Sequence, residues 1–460
     1  MIRYRARWVL PITAAPIEDG VVACESGVIR FVGQASEAPP GDDFDLGDAV
    51  LLPGLVNAHT HLELTAMRGF LEGLSFDQWI DTLRRSRAAV LDDDALLDSA
   101  RLGVLEGIQH GVTTFSDTSA SGVSARAMRE CGVRGIMYHE VFGPDPAICD
   151  AALAELDMRV TALRADETDL VRIGVSPHAP YTVSDDLYRA VAAYAVANSL
   201  PIAMHISEGD AEQDLVRRGE GMFATWHGRR GIPVQPRARS PISLLSDIGA
   251  LPPRSLLIHA VKADSEDIRT IVRHGACIAH CPTSNAKFGH GIAPLEAFLE
   301  AGIDVGLGSD SVASNNRMDI LDEARMAVLS ANLRSQSPTA LTAERALELA
   351  TIRGARALGR AAVTGSLEAG KSADLAAFRL DTLRTNPSCD PAAALVFAMG
   401  GSRAFLVVVA GRHLVEHGEL TLEPGGLHER VAASGRALHA WRGEQAASEP
   451  LAADRSHPLV

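Results

Sequence analysis

Lysine is nearly absent from this chain: Lys262, Lys287 and Lys371 are the only three in 460 residues. Arginine carries almost all the positive charge, a bias read here as genomic composition. The 43 basic residues are outnumbered by 58 acidic ones, for a net charge of −15. That balance argues against nucleic acid as the main partner and against an anionic membrane surface. Long apolar runs are also lacking. No stretch approaches the roughly 18 uninterrupted apolar residues of a membrane span. The N-terminal "MIRYRARWVLPITAAPIEDG" meets Pro11 before a signal-peptide core develops. Cysteine is sparse, with six (24, 131, 149, 277, 281, 389) in no repeating pattern, so no disulfide framework is expected. The expectation is a cytoplasmic protein acting on a small molecule, with no nucleic acid and no membrane partner; a homo-oligomer is compatible with this composition.

What is present is an apolar content of 47%, enough for a sizeable core in one large α/β domain plus a smaller one. Residues 1–53 read as short strands with Gly- and Pro-bounded turns, and a matching pattern returns in "TGSLEAGKSADLAAFRL" and "RAFLVVVAGRHLVEHGEL". Two such pieces can pair across the chain, leaving the middle as one inserted domain. The expected organisation is a small β-sandwich from 1–53 and 365–430, a catalytic domain over 54–364, and a helix with a polar tail over 431–460.

The middle alternates eight short apolar runs with amphipathic helical stretches. The runs are "LVNAHTH", "GVTTFSD", "VRGIMYHE", "VRIGVSPHAP", "PIAMHIS", "SLLIHAV", "ACIAHCP" and "DVGLGSD". Strand–helix alternation predicts a parallel sheet. Eight units in this length fit a (β/α)₈ barrel of TIM type, with a doubly wound open sheet as the alternative.

The runs end in polar residues. The first ends at His59 and His61, which in a strand point to one side and can chelate one divalent ion or simply satisfy each other's surroundings. His178 ends the fourth run. His205 lies in the fifth, with Glu208 three residues on; His259, His280 and Asp310 end the sixth, seventh and eighth. A barrel brings the C-terminal ends of all its strands to one face. Core packing does not call for a histidine at each, since buried histidine needs partners.

The segments "PGLVNAHTHLE", "SPHAPYTVS", "MHISEGDAE", "LIHAV", "HCPTSNAKFGHGIAPL", "GLGSDSVASNN" and "GSLEAGKSADL" occur in this order. On them the chain resembles the amidohydrolase superfamily, in the branch that deaminates purines and related heterocycles. The resemblance implies a barrel with a flanking β-sandwich and one divalent metal, Zn²⁺ before Fe²⁺, at His59, His61, His205 and Asp310. It also implies Asp310 as acceptor of the water proton, His259 as the group that holds and polarises the attacking oxygen, and Glu208 as shuttle to a ring nitrogen. No lysine follows the fourth run where two-metal members carry one; His178 stands there, so one metal is expected.

Specificity lies in the loops. Phe76 and Trp79 can form an apolar wall that stacks on a base. His178, Glu140 and His280 are expected at the substrate, with Glu72 or Asp77 as candidates for sugar hydroxyls. The pattern "AHTHLE…F..WI..L" is similar to that of aminodeoxyfutalosine deaminases of menaquinone biosynthesis. Deaminases of S-adenosylhomocysteine, methylthioadenosine or adenosine share the site, and guanine, cytosine and chlorotriazine hydrolases are alternatives. A non-catalytic barrel scaffold is the remote one. The long segment 209–253 is a candidate lid, and its arginines (Arg229, Arg230, Arg237, Arg239) are candidates to meet a substrate carboxylate.

Overall fold

A computed structural model describes residues 1–422 and 425–448. All eight apolar runs are strands: Leu55–Thr60, Val112–Ser119, Arg134–Val141, Val171–Pro177, Ala203–Ile206, Leu256–His259, Cys277–His280 and Val305–Leu307. They are buried almost end to end, as parallel strands covered by helices must be. The first four form one parallel sheet and the last four another, each in sequence order.

The two sheets meet at both edges. Val175 bridges Ile202, and the His205 amide donates to the His178 carbonyl at 2.9 Å. At the other seam Thr60 bridges Asp310, and the Asp310 amide donates to the His59 carbonyl at 3.0 Å. Gly308 makes that second approach possible. A Cβ there would lie 2.9 Å from the His59 Cβ and 3.0 Å from the Cys281 sulfur, closer than carbon and sulfur can pack.

The terminal pieces join as one nine-stranded sheet. Ala49–Pro53 lies between Ile2–Val9, which it meets in parallel, and Leu375–Arg379, which it meets antiparallel. This sheet has its own core of Tyr4, Val22, Ile29, Leu51, Leu375 and Leu406. An ion pair ties it to the parallel strands. Arg134 Nε donates to Asp374 Oδ2 at 2.7 Å, with the two side chains 5% and 0% exposed.

Two features shape the mouth of the parallel strands. Helix Phe76–Val90 follows the first strand and is braced by the C-terminal helix Leu427–Ser448, where Arg85 lies 5.6 Å over the Trp441 ring. The polar tail expected beyond it, from residue 449, lies outside the described residues. Segment 209–253 holds three helices, Asp210–Arg218, Gly221–Arg229 and Pro241–Asp247. Among the described residues no helix is long and apolar enough to cross a membrane.

Removing one partner of a buried ion pair strands the other charge in a low-dielectric site. Arg134→Ala is therefore expected to destabilise the fold by about 3–5 kcal/mol in chemical denaturation. A loss below ~1 kcal/mol would mean that Asp374 is satisfied without it.

Candidate active site

The strand ends carry their polar groups on strained backbone. Ser207, His259 and Asp310 sit in the left-handed region, with φ of 52°, 73° and 57°. Such residues cost of order 1–3 kcal/mol each and persist only where their surroundings hold them. At Ser207 the holding group is Glu212, whose two carboxylate oxygens accept from the Ser207 and Glu208 amides at 2.8 and 2.9 Å.

His59, His61 and His205 converge, with one ring nitrogen of each within 4.8 Å of the others. His61 Nε2 faces His205 Nε2 at 3.2 Å. Asp310 Oδ1 lies 3.3 Å from His59 Nε2 and 3.7 Å from His61 Nε2. Its Oδ2 accepts from Ser284 Oγ at 2.5 Å and Ser314 Oγ at 2.9 Å. Burial pushes the imidazoles toward the neutral form: His61 falls to about 3, His178 to about 4, and His59 and His205 are also lowered. Burial alone would raise the Asp310 carboxyl, but the close approach of His59, with His259 and His61 beside it, holds it well below the carboxylate range.

Neutral imidazole nitrogens facing one another leave lone pairs unused. Both ring nitrogens of His59 and the Nδ1 of His205 are buried with no hydrogen-bond partner. Orphaned buried polar atoms are costly. Three imidazoles and one carboxylate with open lone pairs suit a divalent cation of the zinc or iron type.

Beside this cluster stand Glu208 and His259. Glu208 Oε1 is 3.7 Å from His259 Nε2 and 3.5 Å from His290 Nε2. Burial would raise the Glu208 carboxyl; the His259 charge and the His290 contact lower it below its ordinary value. His259 Nδ1 donates to Asn285 Oδ1 at 3.0 Å, which fixes the tautomer and leaves Nε2 toward Glu208.

A cavity of about 440 Å³ opens over these groups. His61, His178, His205, Glu208, His259 and Asp310 line it, and Phe76, Trp79 and Phe288 form an aromatic wall. Phe288 lies 5.1 Å from each of the other two rings, edge-on. A polar patch of Glu63, Arg87 and Glu140 lines it too. Glu63 accepts from Arg87 at 2.7 Å and Ser119 at 2.6 Å. Glu140 keeps Oε1 without a partner, and burial next to the Glu63 charge pushes it up to about 8.

Most residues expected at the site are thus brought together, His59 beneath the lining and the others on it. His280 is the exception. It is buried at the end of its strand and lines a neighbouring hollow with Asn285, Ile292 and Leu329. Glu72 and Asp77 do not line the cavity either. Glu72 is tied to Lys287 and Asn316 at 2.8 Å each, and Asp77 to Ser75. Sequence reasoning passed over Glu212, Ser284, Ser314 and His290. None ends a strand; the signal available was that each sits within a few residues of a strand-end motif.

A model of the amidohydrolase family matches residues 50–414. The chain is 31% identical to the 5-methylthioadenosine/S-adenosylhomocysteine deaminase of Moorella thermoacetica, over 92% of this chain and 96% of that one. It is 32% identical to the 5′-deoxyadenosine deaminase of Methanothermobacter thermautotrophicus, over 89% and 92%. Among solved structures it is similar to an adenosine deaminase of Xanthomonas campestris with bound zinc, with a TM-score of 0.85, 28% identity, and 95% and 98% of the two chains covered. The chain belongs to the amidohydrolase family.

Proposed function

We propose that this amidohydrolase removes the 6-amino group from the adenine ring of an adenosine modified at its 5′ position, releasing ammonia. The observation that carries the reading is one cluster. Three neutral histidines and Asp310 converge with open lone pairs at the base of a cavity, next to an ionised Glu208 paired with His259. The names of the relatives supply the nucleoside class. The architecture behind it is read as a closed (β/α)₈ barrel over 54–364 flanked by a sandwich of 1–53 and 365–430, which the bridges at both seams support.

His59, His61, His205 and Asp310 would hold one divalent ion, for which zinc is the choice supported by the zinc-bound relative. Such an ion supplies Lewis acidity that lets water react near neutral pH. This chain's residues do the rest. Asp310, kept ionised, accepts the proton of the attacking water and hands it to the departing amine. Glu208, ionised at rest, takes up a proton from solvent as substrate binds. It delivers that proton to the ring nitrogen next to the reacting carbon, which makes that carbon electrophilic, and regains a proton from the added hydroxyl as ammonia leaves. His259, locked by Asn285, directs Nε2 at the oxygen that adds to the ring. Phe76, Trp79 and Phe288 pack against the base and exclude water, and His178 contacts the substrate. Glu140, with one free oxygen, meets the sugar.

Aminodeoxyfutalosine, the substrate first suggested by the loop pattern, is an adenosine of this class and belongs in any test panel. The 5′-substituted thioadenosines stand ahead of it because the relatives that share a third of the sequence are named for them. Chlorotriazine hydrolysis stands behind, since the relatives at 31% and 32% identity are named for nucleosides.

Asp310→Asn is expected to lower deamination of methylthioadenosine by about 10²- to 10⁴-fold, the scale of a lost acid–base group. Turnover above a tenth of wild type would remove Asp310 from its role. Glu208→Gln is expected to keep its metal, measured by elemental analysis, while losing ammonia release. Loss of metal with activity would make Glu208 a ligand and overturn the shuttle.

A further inference from the structure

Glu208 lines two cavities. One is the active-site cavity; the other is a second hollow of about 290 Å³ that His290, Asp77, Asp210 and Glu212 also line. Phe76, Tyr181, Phe288 and Glu208 line both, so these four form the partition between them. The two phenylalanines have no proton to exchange, and burial pushes the Tyr181 hydroxyl well above its ordinary value. Glu208 is therefore the one group in the partition that can pass a proton across it near neutral pH. A ring seated in the active-site cavity closes the direct path from water to Glu208, while the second hollow stays open behind it.

His290 stands on the far side of that carboxylate, on the second hollow and not on the substrate cavity. Its Nε2 faces Glu208 Oε1 at 3.5 Å and, among the described residues, has no hydrogen-bond partner. Contacts of this kind are commonly long before substrate binds and tighten in the complex. Packing does not account for an imidazole here. Phe76 meets the ring edge-on at 4.8 Å and Phe288 at 5.3 Å, contacts that a phenyl ring would make as well. The backbone is anchored, with the His290 amide donating to the Asn285 carbonyl at 3.0 Å. Gly209, next to Glu208, permits the approach. A Cβ there would lie 2.9 Å from His290 Nδ1 and would displace the ring. The ionisable walls of the hollow are otherwise carboxyls, Asp77, Asp210 and Glu212, with no arginine or lysine among them. Lys262 pairs with Asp210 at 2.8 Å from outside it. Nearby arginines are taken up elsewhere, Arg237 by Asp185 and Arg239 by Asp264, Glu266 and Asp267. No fixed cation in the wall therefore opposes an entering proton.

We propose that His290 is the proton relay between solvent and Glu208, working through the second hollow while substrate fills the first. The proposal rests on the adenosine reading above. Protonated His290 passes the proton on Nε2 to Glu208 Oε1, which leaves a neutral imidazole beside a neutral acid. The imidazole regains a proton from water or buffer in the hollow. Glu208 gives its proton to the ring nitrogen and regains one from the added hydroxyl. That proton leaves through His290 when product departs, so each turnover takes up one solvent proton and returns one.

The test compares zinc-loaded wild type, His290→Phe and His290→Ala by ammonia release from methylthioadenosine, with zinc content per chain as the check that the histidine cluster is intact. His290→Phe keeps the ring packing and has no proton to pass. Its kcat is expected to fall about 10- to 100-fold with KM little changed, less than the full cost of a lost general acid. His290→Ala is expected to fall likewise and to recover with added imidazole. Pyrazole, a ring of the same size too weakly basic to carry a proton at neutral pH, is expected to restore nothing. Wild type with the same additives is the reference. A wild-type kcat in His290→Phe would overturn the relay and leave the adenosine reading intact. No recovery with imidazole, or equal recovery with pyrazole, would make His290 a packing residue and also overturn it. Where one variant does not fold, the other decides; loss of zinc in both would make His290 a structural support and end the proposal. No ammonia from wild type itself would bring down the adenosine reading and the relay with it.

Discussion

The seam between the first and eighth parallel strands is the contact on which the site depends. There the Asp310 amide donates to the His59 carbonyl, and Gly308 lets the two strands approach. Residues some 250 positions apart become neighbours, and the Asp310 carboxylate ends up 3.3 Å from His59 Nε2. Without that seam the histidines of the first strand would face a gap. The opposite seam does the same for His178 and His205, whose backbones are bonded directly and whose rings lie 4.7 Å apart. Five imidazoles thus share a space from which water is largely excluded. Burial keeps the three convergent ones neutral, and that makes them ligands in waiting rather than a cluster of cations.

Burial also divides the carboxylates into two kinds. Asp310 and Glu208 face histidines and stay ionised despite being desolvated. Glu140 and Glu212 are pushed up to about 8 by burial, with the charges of Glu63 and Glu208 respectively adding to it. One enclosed region therefore holds ionised carboxylates near the histidine cluster and carboxyls of raised pKa further off, an arrangement suited to moving protons across a ring. Glu212 belongs to the second kind and never needs to touch the substrate. By accepting from the Ser207 and Glu208 amides it holds the turn that aims Glu208.

Much of this was legible in the sequence, for a physical reason. Parallel strands buried on both faces read as continuous apolar runs, so the eight strands stood out, and a polar residue closing such a run is conspicuous. His59, His61, His205, His259 and Asp310 were visible in this way. His280 closes a run equally well yet lines a separate hollow with Asn285, Ile292 and Leu329; an apolar run closed by a histidine does not tell which cavity the ring meets. Residues beyond the strand ends carried no such pattern. Ser284 and Ser314 sit on the short helices that follow the seventh and eighth strands and His290 in the loop beyond, and the fold brings them to Asp310 and Glu208. The terminal pieces were recognisable as strands able to pair across the chain, and they do so over more than 300 residues; the strand order and register of the nine-stranded sheet are what local pattern does not encode.

The central claim is that one divalent ion, held by His59, His61 and Asp310 at this seam and by His205 at the opposite one, would make this cavity a deaminase of 5′-modified adenosines. The most direct measurement is a titration of chelated enzyme with Zn²⁺, read as ammonia released from methylthioadenosine. The account predicts no activity in the chelated protein, a linear rise on adding metal, and a sharp break at one equivalent per chain. Activity in the fully chelated enzyme, or a break at two equivalents, would contradict it.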